Sequence, residues 1–254
     1  MDLRELPPRA FERHPWEKAR ADFFVRLLRD HVHDMRLSVV DFGSGDGFFA
    51  QRLIAAWPAV WDVVCFDPAY PPDRLAEKGE GKIAFIRSKP DGRRDVLLLL
   101  DVLEHAANDQ AMLHDALSNC LRPGGWLLLS VPAHPILFSQ HDELLRHKRR
   151  YSAAGLLALA KNEDVTVVEQ GQLFASLLLP RALAKLGETL RPRKPNAAAR
   201  AMTIETSLGT WKHGATVTRA VEMALGLDAA FARTLARRRL PIPGLSTWLL
   251  ARKK

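Results

Sequence analysis

Between Val39 and Phe49 the chain reads V-V-D-F-G-S-G-D-G-F-F, and no other stretch restricts its local fold as much. Two β-branched residues lead to an acid, three glycines follow at alternate positions, and an apolar run continues through Ile54. That order predicts a buried strand, a tight turn and the first turn of a helix. Glycine is required where φ is positive, or where a ligand must touch backbone that a Cβ would shield. Alternate glycines at the tip of a strand therefore predict a cofactor resting on the turn.

The spacing separates two cofactor classes. A dinucleotide fingerprint is G-x-G-x-x-G, with a helix N-terminus aimed at a pyrophosphate. Here the pattern is D-x-G-x-G-x-G, with Asp41 ahead of Gly43, Gly45 and Gly47, and Ser44 between the first two glycines. A carboxylate would repel a pyrophosphate but suits a ligand carrying an ammonium group. The pattern is similar to motif I of class I S-adenosylmethionine-dependent methyltransferases. The next apolar run, from Trp61, ends in Asp67, twenty residues after Gly47. An acid at the tip of the second strand of such a unit accepts hydrogen bonds from ribose hydroxyls. The resemblance implies that role for Asp67, with S-adenosyl-L-methionine as cofactor. Phe66 to Pro72 has a faint likeness to the D-P-P-Y box of amino-methylating DNA enzymes. That box closes a fourth strand and this one a second, so position excludes a DNA-adenine enzyme.

Two further segments extend the resemblance. Asp95 to Leu100 reads as a strand buried on both faces, ending in Asp101-Val102-Leu103-Glu104-His105. It resembles the D-x-L-E-H segment after strand four of small-molecule methyltransferases. This implies that Asp101 and Val102 border the methionine end of the cofactor and that His105 opens the next helix. Leu121-Arg122-Pro123-Gly124-Gly125-Trp126 is turn chemistry, expected to close a helix before a fifth strand over 126–131.

A chain of 254 residues, 47% hydrophobic, can bury a full α/β core and carry an appendage. No apolar run approaches the roughly 20 residues of a membrane span, and Met1 to Pro8 has no hydrophobic signal region. Cys65 falls in an expected buried strand and Cys120 in an expected helix, so neither points to a disulfide or a metal site. A cytoplasmic protein with no metal is expected. The net charge of +8 is uneven. Residues 175–254 hold 15 Lys/Arg against 4 Asp/Glu, whereas residues 1–174 hold 22 against 25. The basic excess belongs to the C-terminal part, as a solvated face or as a surface for anionic lipid, nucleic acid or a phosphorylated substrate.

Residues 9–36 read as a leading helix with Phe11, Trp16, Phe23, Phe24, Leu27 and Leu28 on its apolar stripe. Its Trp16 and Arg20, four apart, share a face, as in the W-x-x-x-R entry helix that covers the cofactor in some methyltransferases. Strands are expected at 38–42, 61–66, 82–87, 95–100, 126–131, 165–168 and 245–252, with helices between them. The fold class is therefore α/β, a doubly wound seven-stranded Rossmann-like methyltransferase sheet with an N-terminal helix and a helical insertion between strands six and seven. A short hairpin normally joins those two strands. One domain is expected, with a helical cap over 1–37, a cofactor-binding core over 38–174, an insertion or lid over 175–244 and a last strand over 245–254. Within the insertion, 177–186 is a basic amphipathic piece, Pro192 to Ala201 is linker-like, and 214–239 is a helix with Val217, Val221, Leu225, Phe231 and Leu235 on one side.

The segment 134–151 follows strand five, on the sheet edge where α/β proteins bind ligands. It resembles the D-x-x-x-x-H-x-R-R-Y element of a type 11/23-like methyltransferase subgroup, matched here by Asp142, His147, Arg149, Arg150 and Tyr151. His147, His141, Arg150 and Tyr151 are the candidates for acceptor chemistry. Either histidine could take a proton from an acceptor hydroxyl, and Arg150 could hold an anionic group in a two-pronged contact. The competing reading makes Arg149, Arg150 and Tyr151 a structural latch. The expected function is methyl transfer to a small-molecule, glycan- or lipid-linked acceptor, at oxygen or nitrogen, with weak peripheral contact with anionic membrane. The alternatives are an RNA methyltransferase using the basic region and a non-catalytic methyltransferase-like subunit. Nucleic acid is not the expected partner, because no aromatic residues interleave the basic ones.

Overall fold

The computed structural model describes residues 12–76, 82–190, 211 and 213–254. Its elements run α1 (Pro15–His31), β1 (Leu37–Phe42), α2 (Phe48–Ala56), β2 (Val60–Phe66), α3 (Pro72–Ala76), β3 (Ile83–Ile86), β4 (Arg94–Leu100), α4 (Asp109–Cys120), β5 (Leu121–Pro132), α5 (Gln140–Leu144), α6 (Ala153–Lys161), β6 (Val165–Leu173), α7 (Leu178–Leu190), α8 (Ala215–Arg237) and β7 (Ser246–Lys253). The seven strands form one sheet in the order β3-β2-β1-β4-β5-β7-β6. β7 runs antiparallel to both neighbours, while the pairs β1–β2, β1–β4, β2–β3 and β4–β5 are parallel. The winding direction reverses between β1 and β4, which opens a crevice at their C-terminal ends. Asp41 and Asp101 lie at that crevice.

Strand periodicity divides the core into two layers. Val39, Val63, Leu98, Leu128 and Leu250 face one side, against Phe23, Phe24, Leu27 and Leu28 of α1. Val40, Leu97, Leu99, Leu127 and Leu249 face the other, against Leu113, Leu117 and Leu156. Each buried side chain of this size contributes about 1.5–3 kcal/mol. The sheet is thus held from both faces and its loop-bearing edge is firm.

α1 begins at Pro15, whose missing N–H costs nothing at the first helical position, with His14 accepting from the Trp16 amide (3.2 Å). It ends at His31, well inside the expected 9–36; residues 9–11 lie outside the described residues, as does the linker-like stretch 192–201. β5 starts directly after α4, at Leu121. The P-G-G turn is therefore an irregularity inside the strand, where the register with β4 jumps from Arg94↔Leu121 to Val96↔Trp126. Gly124 takes φ +72° there.

Among the described residues, the connection between β6 and β7 carries two helices, α7 and α8. α8 lies alongside α1 and β6, with Lys18 paired to Glu222 (2.9 Å) and Arg233 bonded to both Asp30 (2.6 Å) and Glu169 (2.7 Å). Its buried stripe is Thr218, Leu225, Ala229 and Ala232, not the expected set: Val217 and Phe231 are exposed. Alanine at 229 and 232 lets the helix approach closely, and this rotates the larger side chains outward. α8 is consequently part of the scaffold. α7 reaches the crevice through Arg181, and Trp211 and His213, just ahead of α8, line it as well.

Candidate active site

The turn after β1 is built of left-handed backbone. Gly43, Gly45 and Gly47 have φ of +73°, +54° and +75°. A Cβ on Gly43 would lie 2.6 Å from Val102 Cγ2, and one on Gly47 would lie 2.7 Å from Phe85. Both positions therefore require glycine for conformation and for space. The amides of Gly43 and Ser44 donate to the Phe66 carbonyl (2.8 and 3.1 Å), which ties the turn to the end of β2. Ser44 Oγ meets Tyr70 Oη at 2.7 Å. Asp67 accepts from the amides of Gly45 (3.3 Å) and Ala69 (2.8 Å) at the rim of the same crevice. Gly47 precedes α2, and Asp46 accepts from the Phe48 amide (3.2 Å) and pairs with Arg13.

Asp41 is buried, and its Oδ2 has no hydrogen-bond partner among the described residues. Burial pushes its carboxyl up to about 7. A buried carboxylate oxygen without a donor is costly unless a ligand supplies one. Together with the glycine turn, this orphan oxygen fits a ligand ammonium. Across the crevice, Asp101 takes φ +57°. It accepts from Ser130 Oγ (3.2 Å) and pairs with Arg20. Arg20 in turn lies over the Trp16 ring (4.8 Å), so the entry helix does reach the site. Val102 packs on Gly43 and fixes the opposite wall.

Beyond Asp101 the cavity continues to a volume of about 1280 Å³. Pockets for a single small ligand span roughly 300–1,000 Å³, so this space admits a cofactor and an acceptor together. The wall of the cavity that carries His147 and Arg150 is organised by Asp142, which is fully buried. It accepts from His147 Nδ1 (3.0 Å), Arg150 Nε (2.8 Å), Arg181 (3.1 Å) and the Ser139 amide (3.0 Å). Burial alone would raise the Asp142 carboxyl. The hydrogen bond from His147 and the charges of Arg150 and Arg181 outweigh it and hold the group well below the ordinary carboxylate range. With Nδ1 engaged by Asp142, the other ring nitrogen of His147, Nε2, is left outside that pair. The His147 ring stands edge-on to His105, with centroids 4.7 Å apart. Polar atoms of Glu104, His105 and His147 lie within 4.8 Å of one another. Glu104 is fully buried, neither carboxyl oxygen has a hydrogen-bond partner among the described residues, and burial pushes it up to about 8.

The sequence-derived acceptor candidates divide here. His147, His141 and Arg150 line the cavity. Burial, followed by the charge of Arg181, pushes His141 down to about 4, so it is neutral at physiological pH. Arg150 is turned to Asp142 and to the Ala133 carbonyl (3.2 Å). Tyr151 is not brought to the cavity: it is buried in the second core layer, and its hydroxyl donates to Asp109 (2.8 Å). Arg149 binds the same Asp109 (2.9 Å) and the carbonyls of Ala106 and Ala107. Arg149, Arg150 and Tyr151 have the geometry of a latch, because their carboxylate partners lie behind the cavity wall. Sequence reasoning gave no role to Glu104 and missed Arg181. The first had a signal, as the acid within D-x-L-E-H; the second had none, because a basic residue on an amphipathic helix is ordinarily solvated.

Comparison with known proteins agrees with this geometry. A family model described as a methyltransferase domain matches residues 6–187. No curated protein matches the chain. Among solved structures, coclaurine N-methyltransferase bound to N-methylheliamine and S-adenosylhomocysteine is similar at a TM-score of 0.55 and 15% identity, over 94% of this chain and 71% of that one. Plantazolicin methyltransferase BpumL, in complex with S-adenosylhomocysteine, aligns at 0.53 and 14% identity over 94% and 85%. A Galdieria sulphuraria protein assigned as a sarcosine dimethylglycine methyltransferase aligns at 0.54 and 15% identity over 94% and 86%. At such identities these structures speak for the fold alone. The family match covers most of the chain, the orphan carboxylate and glycine turn fit the cofactor, and the chain thus belongs to the methyltransferase-domain family as an S-adenosylmethionine-dependent enzyme.

Proposed function

We propose that the enzyme transfers a methyl group to a hydroxyl oxygen of a small or lipid-linked acceptor, with His147 receiving the hydroxyl proton. The observation that carries this reading is the His147–Asp142 pair at the far end of the cavity. Asp41 would hold the cofactor's ammonium, Asp67 its ribose, and the backbone of Gly43 to Gly47 its body, with Asp101 and Val102 at the methionine end. When bound, the cofactor supplies an electrophilic sulfonium methyl and carries the activation itself. The protein must align the acceptor oxygen and remove its proton.

Asp142 fixes the His147 tautomer and stabilises the imidazolium that forms, while Arg150 and Arg181 keep Asp142 ionised. Glu104, largely neutral near pH 7, can donate a hydrogen bond to the acceptor without competing for its proton. An amine acceptor would need no such base once neutral, so the dyad favours oxygen. Part of the basic excess of the C-terminal region is engaged within the protein, which weakens the case for an RNA surface: Arg233 binds Asp30 and Glu169, and Lys253 the carbonyls of Leu117 and Leu121. The test is S-adenosylhomocysteine release with matched hydroxyl- and amine-bearing acceptors. His147→Ala should abolish turnover of hydroxyl acceptors and leave cofactor affinity unchanged. Turnover of amines only, or full activity of His147→Ala, overturns the reading.

A further inference from the structure

The insertion between β6 and β7 carries most of the exposed large hydrophobic side chains among the described residues. On α7 these are Leu179, Leu183, Leu186 and Leu190, spaced 4, 3 and 4 apart on one face, each more than half exposed. On α8 they are Val217, Met223, Leu227 and Phe231, between 49% and 71% exposed. α7 has no buried residue at all. Soluble surfaces scatter such residues singly, and a concentration of them on one element marks a contact surface.

Charge decides what the surface contacts. The three described carboxylates of the insertion are all turned toward the body of the protein. Glu188 accepts from the Gln140 amide, Glu222 pairs with Lys18, and Asp228 caps the turn Ala175–Leu177 through the amides of Ala175 and Ser176. On the solvent side stand Arg219, Arg238 and Arg239, all exposed, with Lys185 half-buried on α7. Arg181, Arg233 and Arg237 are engaged by carboxylates of the body, but every described acid of the insertion is turned inward, so the bases left at the surface give it a positive balance beside the exposed leucines, as in an amphipathic element lying in a lipid interface. A protein partner would not require this segregation, and a second copy of the chain would bring the same positive charges together.

We infer that the exposed faces of α7 and α8 rest on an anionic lipid surface. Leu177 and Arg181, at the base of α7, line the cavity, so the membrane-facing helix also walls the acceptor site. Delivery of a lipid-linked acceptor from that side rests on the function proposed above; the docking itself does not.

The experiment is flotation of the full chain with phosphatidylcholine vesicles, with and without phosphatidylglycerol, at low and high salt. Binding is expected only to the anionic vesicles, and it should weaken as salt screens the basic residues. The double variant Leu183→Glu/Leu227→Glu should bind at least about tenfold more weakly, because it removes apolar burial and adds repulsion. Neither residue lines the cavity, so S-adenosylhomocysteine affinity by calorimetry should be unchanged and reports that the fold is intact. Absence of flotation at low salt overturns the inference, as does equal binding of the double variant. Self-association that the variant abolishes, without vesicle binding, would assign the face to a second copy instead. These outcomes are independent of methyl transfer, so docking and acceptor chemistry fail separately.

Discussion

The buried carboxyl of Asp41 should make cofactor affinity and the stability of the empty enzyme respond to pH in opposite directions. An acid raised from 3.8 to about 7 by burial keeps its proton over an interval in which the unfolded chain has released it. Its contribution to stability is therefore unpenalised below 3.8 and declines as pH rises toward 7, by at most about 4 kcal/mol at about 1.4 kcal/mol per pH unit. A ligand ammonium needs the ionised form. The ionised fraction is roughly 3% at pH 5.5 and roughly 75% at pH 7.5, so affinity should rise about 25-fold across that range. Calorimetric titration with S-adenosylhomocysteine at several pH values, paired with thermal melts of the empty protein, reads both slopes. Asp41→Asn should flatten the pH dependence of binding and weaken it at pH 7.5 by about 1.5–3 kcal/mol, the value of one charge-assisted hydrogen bond. It should also stabilise the empty protein relative to wild type more at pH 7.5 than at pH 5. A flat affinity profile in the wild type, or undiminished binding by Asp41→Asn, would refute the assignment of Asp41 to the ammonium.

Arg150→Ala removes one partner of a buried carboxylate and should cost about 3–5 kcal/mol, seen as a Tm drop of order 10 °C with activity falling in parallel. His147→Ala removes one hydrogen bond to the buried Asp142 but leaves both arginines in place, so it should lower Tm by less than Arg150→Ala and keep cofactor affinity near wild type while turnover disappears; a Tm loss equal to that of Arg150→Ala would make His147 part of the latch. Glu104→Gln should stabilise the protein increasingly as pH rises from 4.5 toward 8, because only the wild type must keep a buried acid protonated there; equal melting curves at pH 5 and pH 8 would contradict this. Gly43→Ala places a Cβ 2.6 Å from Val102 at φ +73°, so cofactor binding should be lost along with at least about 1–2 kcal/mol of stability.

The sheet and its cofactor edge were legible because they depend on local signals. Alternation fixes which strand residues face each layer, and alternate glycines at a strand tip serve a backbone that must turn left-handed beneath a ligand. The places where sequence reasoning fell short depend on partners distant in the chain. Val217 and Phe231 looked like the inner face of α8 because they are large, yet Ala229 and Ala232 are buried instead, Ala229 in the layer of α1, and close approach between helices selects small residues. The H-x-R-R-Y element left two readings open because a guanidinium looks the same whether it meets a substrate or a buried acid. Asp109, some forty residues upstream, takes Arg149 and Tyr151, while Asp142 takes Arg150. On the proposed mechanism Asp142 thus serves structure and chemistry at once: it anchors the loop through Arg150 and Arg181 and orients the His147 ring. Substitution at Asp142 therefore cannot separate the two roles. Within this element, His147 can, because it contributes one nitrogen to the Asp142 network and leaves the other free for the proton transfer proposed above.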